Sequence, residues 1–273
     1  MKNTKPAILM VHGAFAGGWA FDKFRTYFEA RGYVCLSPDL RHHTRSARAL
    51  PVRELGHTSL LDYAHDLEIL IKSLDAPPVL MGHSMGGLLC QILAARGLGS
   101  RMVLLAPSPP SGITPSSSLE QMAAFGIFAS GMGWGQMVEP DFDTAATHAL
   151  SHMPGVQQRK FFEMMTAESG TALFEIMCWM LDMRGASRVN AKNVTCPVLA
   201  LAGSADPINS PATVRQIARR YGERASYHCF NGVSHWLLDG PRWRETALYC
   251  SEWLARPLKM ERSDAAVRTT TGE

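Results

Sequence analysis

Apolar positions along this chain follow two rhythms. Short unbroken runs at residues 7–11, 78–81, 102–105 and 197–202 fit strands buried on both faces. Residues 33–37 and 225–230 predict two more strands. Between them the spacing turns helical. Leu60, Tyr63, Ala64, Leu67, Leu70, Ile71 and Leu74 fall on one helical face. Helices are also predicted over 21–31, stopped by Gly32, and from Ser84 to Arg96. Two more run from the Ser210-Pro211 start to about Tyr221 and over 242–254. Strands alternating with helices predict an α/β fold, a mostly parallel sheet with helices on both faces. Ligands in such sheets bind beyond the carboxyl ends of the strands.

The rhythm breaks once. Residues 108–118 are rich in Ser and Pro, and 119–184 read as helical with no convincing strand. The expectation is a core of residues 1–108 and 193–258, a helical insertion at 109–192, and a loose polar tail at 259–273. The insertion is rich in Met and aromatic residues, which adapt to irregular apolar ligands. Phe15, Trp134, Trp179 and Trp236 are the candidates for substrate contact.

Composition narrows the class. The chain has 273 residues, 46% of them hydrophobic, enough for a large core. A net charge of +3 gives no general attraction to nucleic acid or acidic membranes. Arg41, Arg45, Arg48 and Arg53 lack periodicity and interleaved aromatics, so they read as a solvated loop. The six cysteines have no metal-type spacing and read as free thiols. Residues 1–6 lack the pattern of a signal peptide, and no apolar stretch is long enough to span a bilayer. The expectation is a cytoplasmic protein without membrane insertion, its oligomeric state open.

Chemistry enters at Gly82-His83-Ser84-Met85-Gly86, where an apolar run meets a Gly-x-Ser-x-Gly turn before a helix. Such a turn holds a serine hydroxyl clear of the sheet at a helix N-terminus, where negative charge is favoured. A serine hydroxyl needs a base, and the base needs an orienting group. His235 and Asp206 each follow a predicted strand and complete the order Ser84, Asp206, His235. Asp39 also follows a strand but reads as a turn residue, and Asp239 is too close to His235 in sequence to orient it. The oxyanion needs two N–H donors: Met85 after the nucleophile, and Ala14, or second Phe15, from the glycine-rich loop after the first strand. No metal and no cofactor is expected.

With these residues in place the chain resembles the α/β-hydrolase superfamily over residues 6–256. The landmarks are His12-Gly13, Gly82-His83-Ser84-Met85-Gly86-Gly87, Gly203-Ser204-Ala205-Asp206 and Ser234-His235. His12-Gly13-Ala14, with Gly17-Gly18-Trp19, is most similar to the methylesterase and hydroxynitrile lyase branch and related bacterial esterases. The resemblance implies an α/β-hydrolase fold with a helical cap, structural roles for His12 and His83, and hydrolysis of a small or medium apolar ester, thioester or lactone. Ser84 stands where dehalogenases and epoxide hydrolases of this fold carry Asp. Gly13 and Trp236 replace the Thr and Lys of hydroxynitrile lyases, which speaks against cyanohydrin cleavage. The alternatives with the same triad are a C–C bond hydrolase, a cofactor-free perhydrolase or haloperoxidase, and a low-turnover ligand receptor.

Overall fold

In the computed structural model, residues 5–43, 53–114 and 134–257 are described. Six parallel strands make one sheet in the order β2-β1-β3-β4-β7-β8: β1 Ile8–Val11, β2 Cys35–Leu36, β3 Val79–His83, β4 Arg101–Leu105, β7 Val198–Gly203 and β8 Ala225–Phe230. Their alternation splits the apolar residues between two cores. Leu9, Val11, Leu80, Met102, Leu104, Val198 and Ala200 face one side. There they pack under α2 Leu60–Lys72, α3 Met85–Ala95 and α6 Pro211–Arg219. Ile8, Met10, Met81, Val103, Leu105, Leu199 and Leu201 face the other, under α1 Asp22–Glu29 and α7 Trp243–Leu254.

Local sequence sets the element ends. Ser59 caps α2, accepting from Leu61 N–H, and Asp62 returns the bond to the Ser59 N–H at 2.9 Å. Ser210 caps α6, with Pro211 in its first turn. The predicted helix at 21–31 enters instead as a tight 3₁₀ turn, Gly18–Phe21, before α1. The predicted strand at 33–37 pairs only at Cys35–Leu36, as the outermost strand of the sheet. The Arg/His-rich loop is not all solvated: Arg41 grips Asp66 of α2 through both Nε and Nη2.

Between β4 and β7 the all-helical expectation fails. Two short strands, β5 Met137–Val138 and β6 Glu168–Ser169, pair antiparallel. Two residues per strand are too few for an alternating pattern to register. Around this ribbon lie helical turns over Phe142–Thr144 and Ala145–Ala149, then α4 Gly155–Phe162 and α5 Gly170–Met177. No described helix is long and apolar enough to cross a membrane. The proposed tail at 259–273, with Arg45 and Arg48, lies outside the described residues.

Register brings the loops together. Val11 pairs with Gly82, so the loop after β1 lies beside the turn after β3. Gly203 pairs with Phe230, so the segments carrying Asp206 and His235 also leave the sheet side by side.

Candidate active site

Ser84 sits between β3 and α3 with φ 53° and ψ −121°, a conformation that side chains rarely adopt. Close crossings hold it there. A Cβ on Gly82 would stand 2.2 Å from the Gly86 carbonyl oxygen, and one on Gly86 2.1 Å from that of Val11. Strand and helix can cross this tightly only through glycine. Ser84 N–H donates to Leu105 O at 3.1 Å, and Ser84 O accepts from Ser108 N–H at 2.9 Å. The loop after β1 also comes close: a Cβ on Gly13 would lie 2.9 Å from Ser84 Cβ.

The three predicted residues form one hydrogen-bonded chain. His235 Nε2 lies 2.9 Å from Ser84 Oγ, and Nδ1 lies 2.9 Å from Asp206 Oδ2. Asp206 Oδ1 accepts from Ile208 N–H at 2.8 Å and Asn209 N–H at 3.0 Å, which fixes the carboxylate plane. Facing a carboxylate, Nδ1 carries the ring proton, so Nε2 is left to accept from the serine hydroxyl. Such a chain can take up the hydroxyl proton as the oxygen attacks. The Asn209 side chain donates to Ala106 O at 3.0 Å and ties this loop to the end of β4. Asn209 was not legible beforehand, because a lone Asn after a strand carries no signature.

Two buried histidines brace the chain. His83 Nε2–H donates to His235 O at 2.9 Å. Burial, reinforced by neighbouring His235, pushes its pKa down to about 3, so it stays neutral. Leu40 N–H donates to His12 Nε2 at 3.0 Å, which leaves Nδ1–H to donate to Gly13 O at 2.8 Å. Burial also lowers His12, to about 4. Both shape loops. Asp39, the rival acid, accepts from Gly18 N–H at 2.7 Å and holds the glycine-rich loop instead.

Of the three oxyanion candidates, two remain available. Among the described residues, neither Ala14 N–H nor Met85 N–H donates to a protein group. Phe15 N–H instead points to Glu168 Oε2 at 3.3 Å, which removes the second choice.

A cavity of about 200 Å³ opens above Ser84, lined by Phe15, Met85, Ile176, Trp179, Trp236 and others, mostly apolar. Trp134 is the exception among the expected contacts. It is 53% exposed and packs edge-on against Phe174, centroids 4.8 Å apart. Leu173, Ile176 and Met177 of α5 line the cavity, three and four residues apart, and Phe174 lies off that face. A residue resting on Phe174 therefore stays outside.

The alpha/beta hydrolase family profile matches residues 8–247. Pyrethroid hydrolase of Sphingobium wenxiniae is 30% identical over 120 residues, covering 42% of this chain and 40% of that protein. Salicylic acid-binding protein 2 of Nicotiana tabacum is 38% identical over 90 residues, covering 32% and 33%. The chain thus matches well under half the length of these relatives. A monoacylglycerol lipase structure from Paleococcus ferrophilus superposes with a TM-score of 0.67 at 22% identity, covering 92% of this chain and 95% of that one. A pyrethroid hydrolase structure from Sphingobium faniae gives 0.67 at 18%, covering 93% and 99%. These superpositions speak to the fold alone. Matched by the family profile over most of its length, the chain belongs to the alpha/beta hydrolase family.

Proposed function

We propose that this chain is a serine hydrolase that cleaves a small or medium, largely apolar carboxylic ester, thioester or lactone through an acyl-enzyme. The observation that carries the reading is the unbroken Ser84–His235–Asp206 chain beneath an apolar cavity. In the first half-reaction His235 Nε2 takes the Ser84 proton as Oγ attacks the carbonyl carbon. The oxyanion forms between the Ala14 and Met85 N–H groups. His235 then gives its proton to the leaving oxygen or sulfur. Water repeats the sequence on the acyl-enzyme, and Ser84 is restored. Asp206 keeps the imidazole in the required tautomer and stabilises it when charged. Residues 109–192 act as the cap: from them Ile176, Met177 and Trp179 line the cavity. The name of one relative, a pyrethroid hydrolase, points to the same reaction class.

The test is a panel of p-nitrophenyl esters of increasing acyl length, with a thioester and a lactone, assayed on wild type and Ser84→Ala. The expected outcome is a preference for apolar acyl groups. The variant should lose about 10⁴-fold or more in kcat, with an unchanged melting temperature. A folded Ser84→Ala protein that turns over at the wild-type rate would refute the reading.

A further inference from the structure

Glu168 is fully buried in β6, remote in sequence from Ser84 and His235, and takes no part in the proposed proton transfers. Its carboxylate receives four donors. Tyr63 O–H and Ser169 N–H meet Oε1 at 2.8 and 2.7 Å. His43 Nε2–H and Phe15 N–H meet Oε2 at 3.0 and 3.3 Å. Four donors saturate an ionised carboxylate. His43 completes the charge balance. Its Nδ1 faces the Arg41 carbonyl at 3.0 Å, which can only accept, as can Glu168. Both ring nitrogens therefore carry protons, and the ring is a cation. The group is sealed: the side chains of both His43 and Glu168 are wholly shielded from solvent.

One of the four donors is the backbone of the loop beside Ser84. Phe15 has φ 62°, strained for a residue with a Cβ, and must be held from outside. It is held at both ends from one segment: Glu168 takes its N–H, and Thr166 N–H donates to its carbonyl at 3.0 Å. The Phe15 N–H belongs to the peptide that follows Ala14, whose own N–H is the proposed oxyanion donor. A buried ion pair adds little net stability over apolar packing of the same shape. What this one provides is direction.

We propose that Glu168, paired with His43, is a positioning residue for catalysis: it fixes the loop carrying the Ala14 donor, so the oxyanion site is complete only when the segment bearing β6 is seated. The proposal rests on the serine hydrolase reading. It makes the insertion part of the catalytic apparatus as well as a wall of the cavity. Its consequence is specific, because a displaced Ala14 N–H weakens the transition state while the cavity wall supplied by Ile176, Trp179 and Trp236 stays in place.

The experiment is steady-state hydrolysis of p-nitrophenyl butyrate by wild type, Glu168→Gln, Tyr63→Phe and Ser84→Ala, each checked by circular dichroism melting. In Glu168→Gln, kcat should fall by about ten- to a hundredfold while KM stays within about threefold. Tyr63→Phe removes a donor from the same carboxylate while sparing Phe15, and should lower kcat by about threefold at constant KM. If Glu168→Gln does not fold, Tyr63→Phe decides: a lowered kcat supports the proposal, and a wild-type kcat overturns it. A folded Glu168→Gln enzyme with wild-type kcat, or one whose loss lies wholly in KM, overturns this inference and leaves the serine mechanism standing. Wild-type protein without Ser84-dependent turnover overturns both.

Discussion

The two bracing histidines give the site an acid weakness. Burial holds His12 at about 4 and His83 at about 3, against an ordinary value of 6.5. Between pH 6.5 and 4 the unfolded chain therefore binds protons that the folded chain refuses. Folding free energy is lost as pH falls, by up to about 1.4 kcal/mol per pH unit for each ring. Glu168 works in the same direction. Although burial opposes it, His43 and its hydrogen bonds hold its pKa below the ordinary value. Its contribution is present above that ordinary value and is lost as pH falls through the folded one. His43 acts oppositely: burial alone would lower its pKa, but Glu168 raises it on balance. That contribution is present below the unfolded pKa and lost as pH rises through the folded one. Thermal melts should show greatest stability near neutrality. From pH 7 to 5 the loss should be on the order of 3 kcal/mol, or roughly 5–10 °C in melting temperature. A melting temperature that does not change over this range would mean these rings are not held neutral.

Among the elements, α3 crosses β1 and β3 at a joint that only glycine admits. An Ala at position 86 would drive its Cβ to 2.1 Å from the Val11 carbonyl oxygen, and backbone on both sides resists moving. Gly86→Ala should cost about 3 kcal/mol or more, read as a lower urea midpoint, or leave no folded protein. A midpoint equal to wild type would show that β1 and α3 can separate. This joint was legible because its glycines fall in a motif with a strand before and a helix after. So were the strands of four to six residues and the helices opened by Ser59 and Ser210, whose patterns run long enough to count. The β5–β6 ribbon was not, since two-residue strands have no period. Trp134 looked like a pocket residue by type, but only the rotation of α5 decides which neighbours face the cavity. The Glu168–His43–Tyr63 group was hidden for a different reason. Its members come from three separate stretches of chain, and nothing local marks a glutamate as a future partner.

Across the whole molecule, the sheet gathers Ser84, Asp206 and His235 at one edge, and the segment between β4 and β7 supplies part of the cavity wall above them. The three residues of the proposed triad all follow strands at the carboxyl edge, which is why the order Ser84, Asp206, His235 could be read from strand ends alone. The segment between β4 and β7 is anchored by two buried carboxylates. Besides Glu168, Glu175 of α5 accepts from Leu60 N–H at 2.7 Å and Ser59 Oγ at 2.7 Å, at the N-terminus of α2, where a negative charge is favoured. Burial raises the Glu175 pKa in spite of these bonds. The segment between β4 and β7 thus meets the rest of the fold at the loop after β1 and at the start of α2. Whether Ser84 is a nucleophile driven by His235 is decided by covalent capture. Wild type, Ser84→Ala and His235→Ala would be incubated with an alkyl fluorophosphonate and followed by intact-protein and peptide mass spectrometry. Wild type should gain one adduct per chain, on the peptide containing Ser84. Ser84→Ala should gain none, and His235→Ala should label about 10³-fold more slowly or worse. An adduct on another residue, or His235→Ala labelling Ser84 at the wild-type rate, would contradict it.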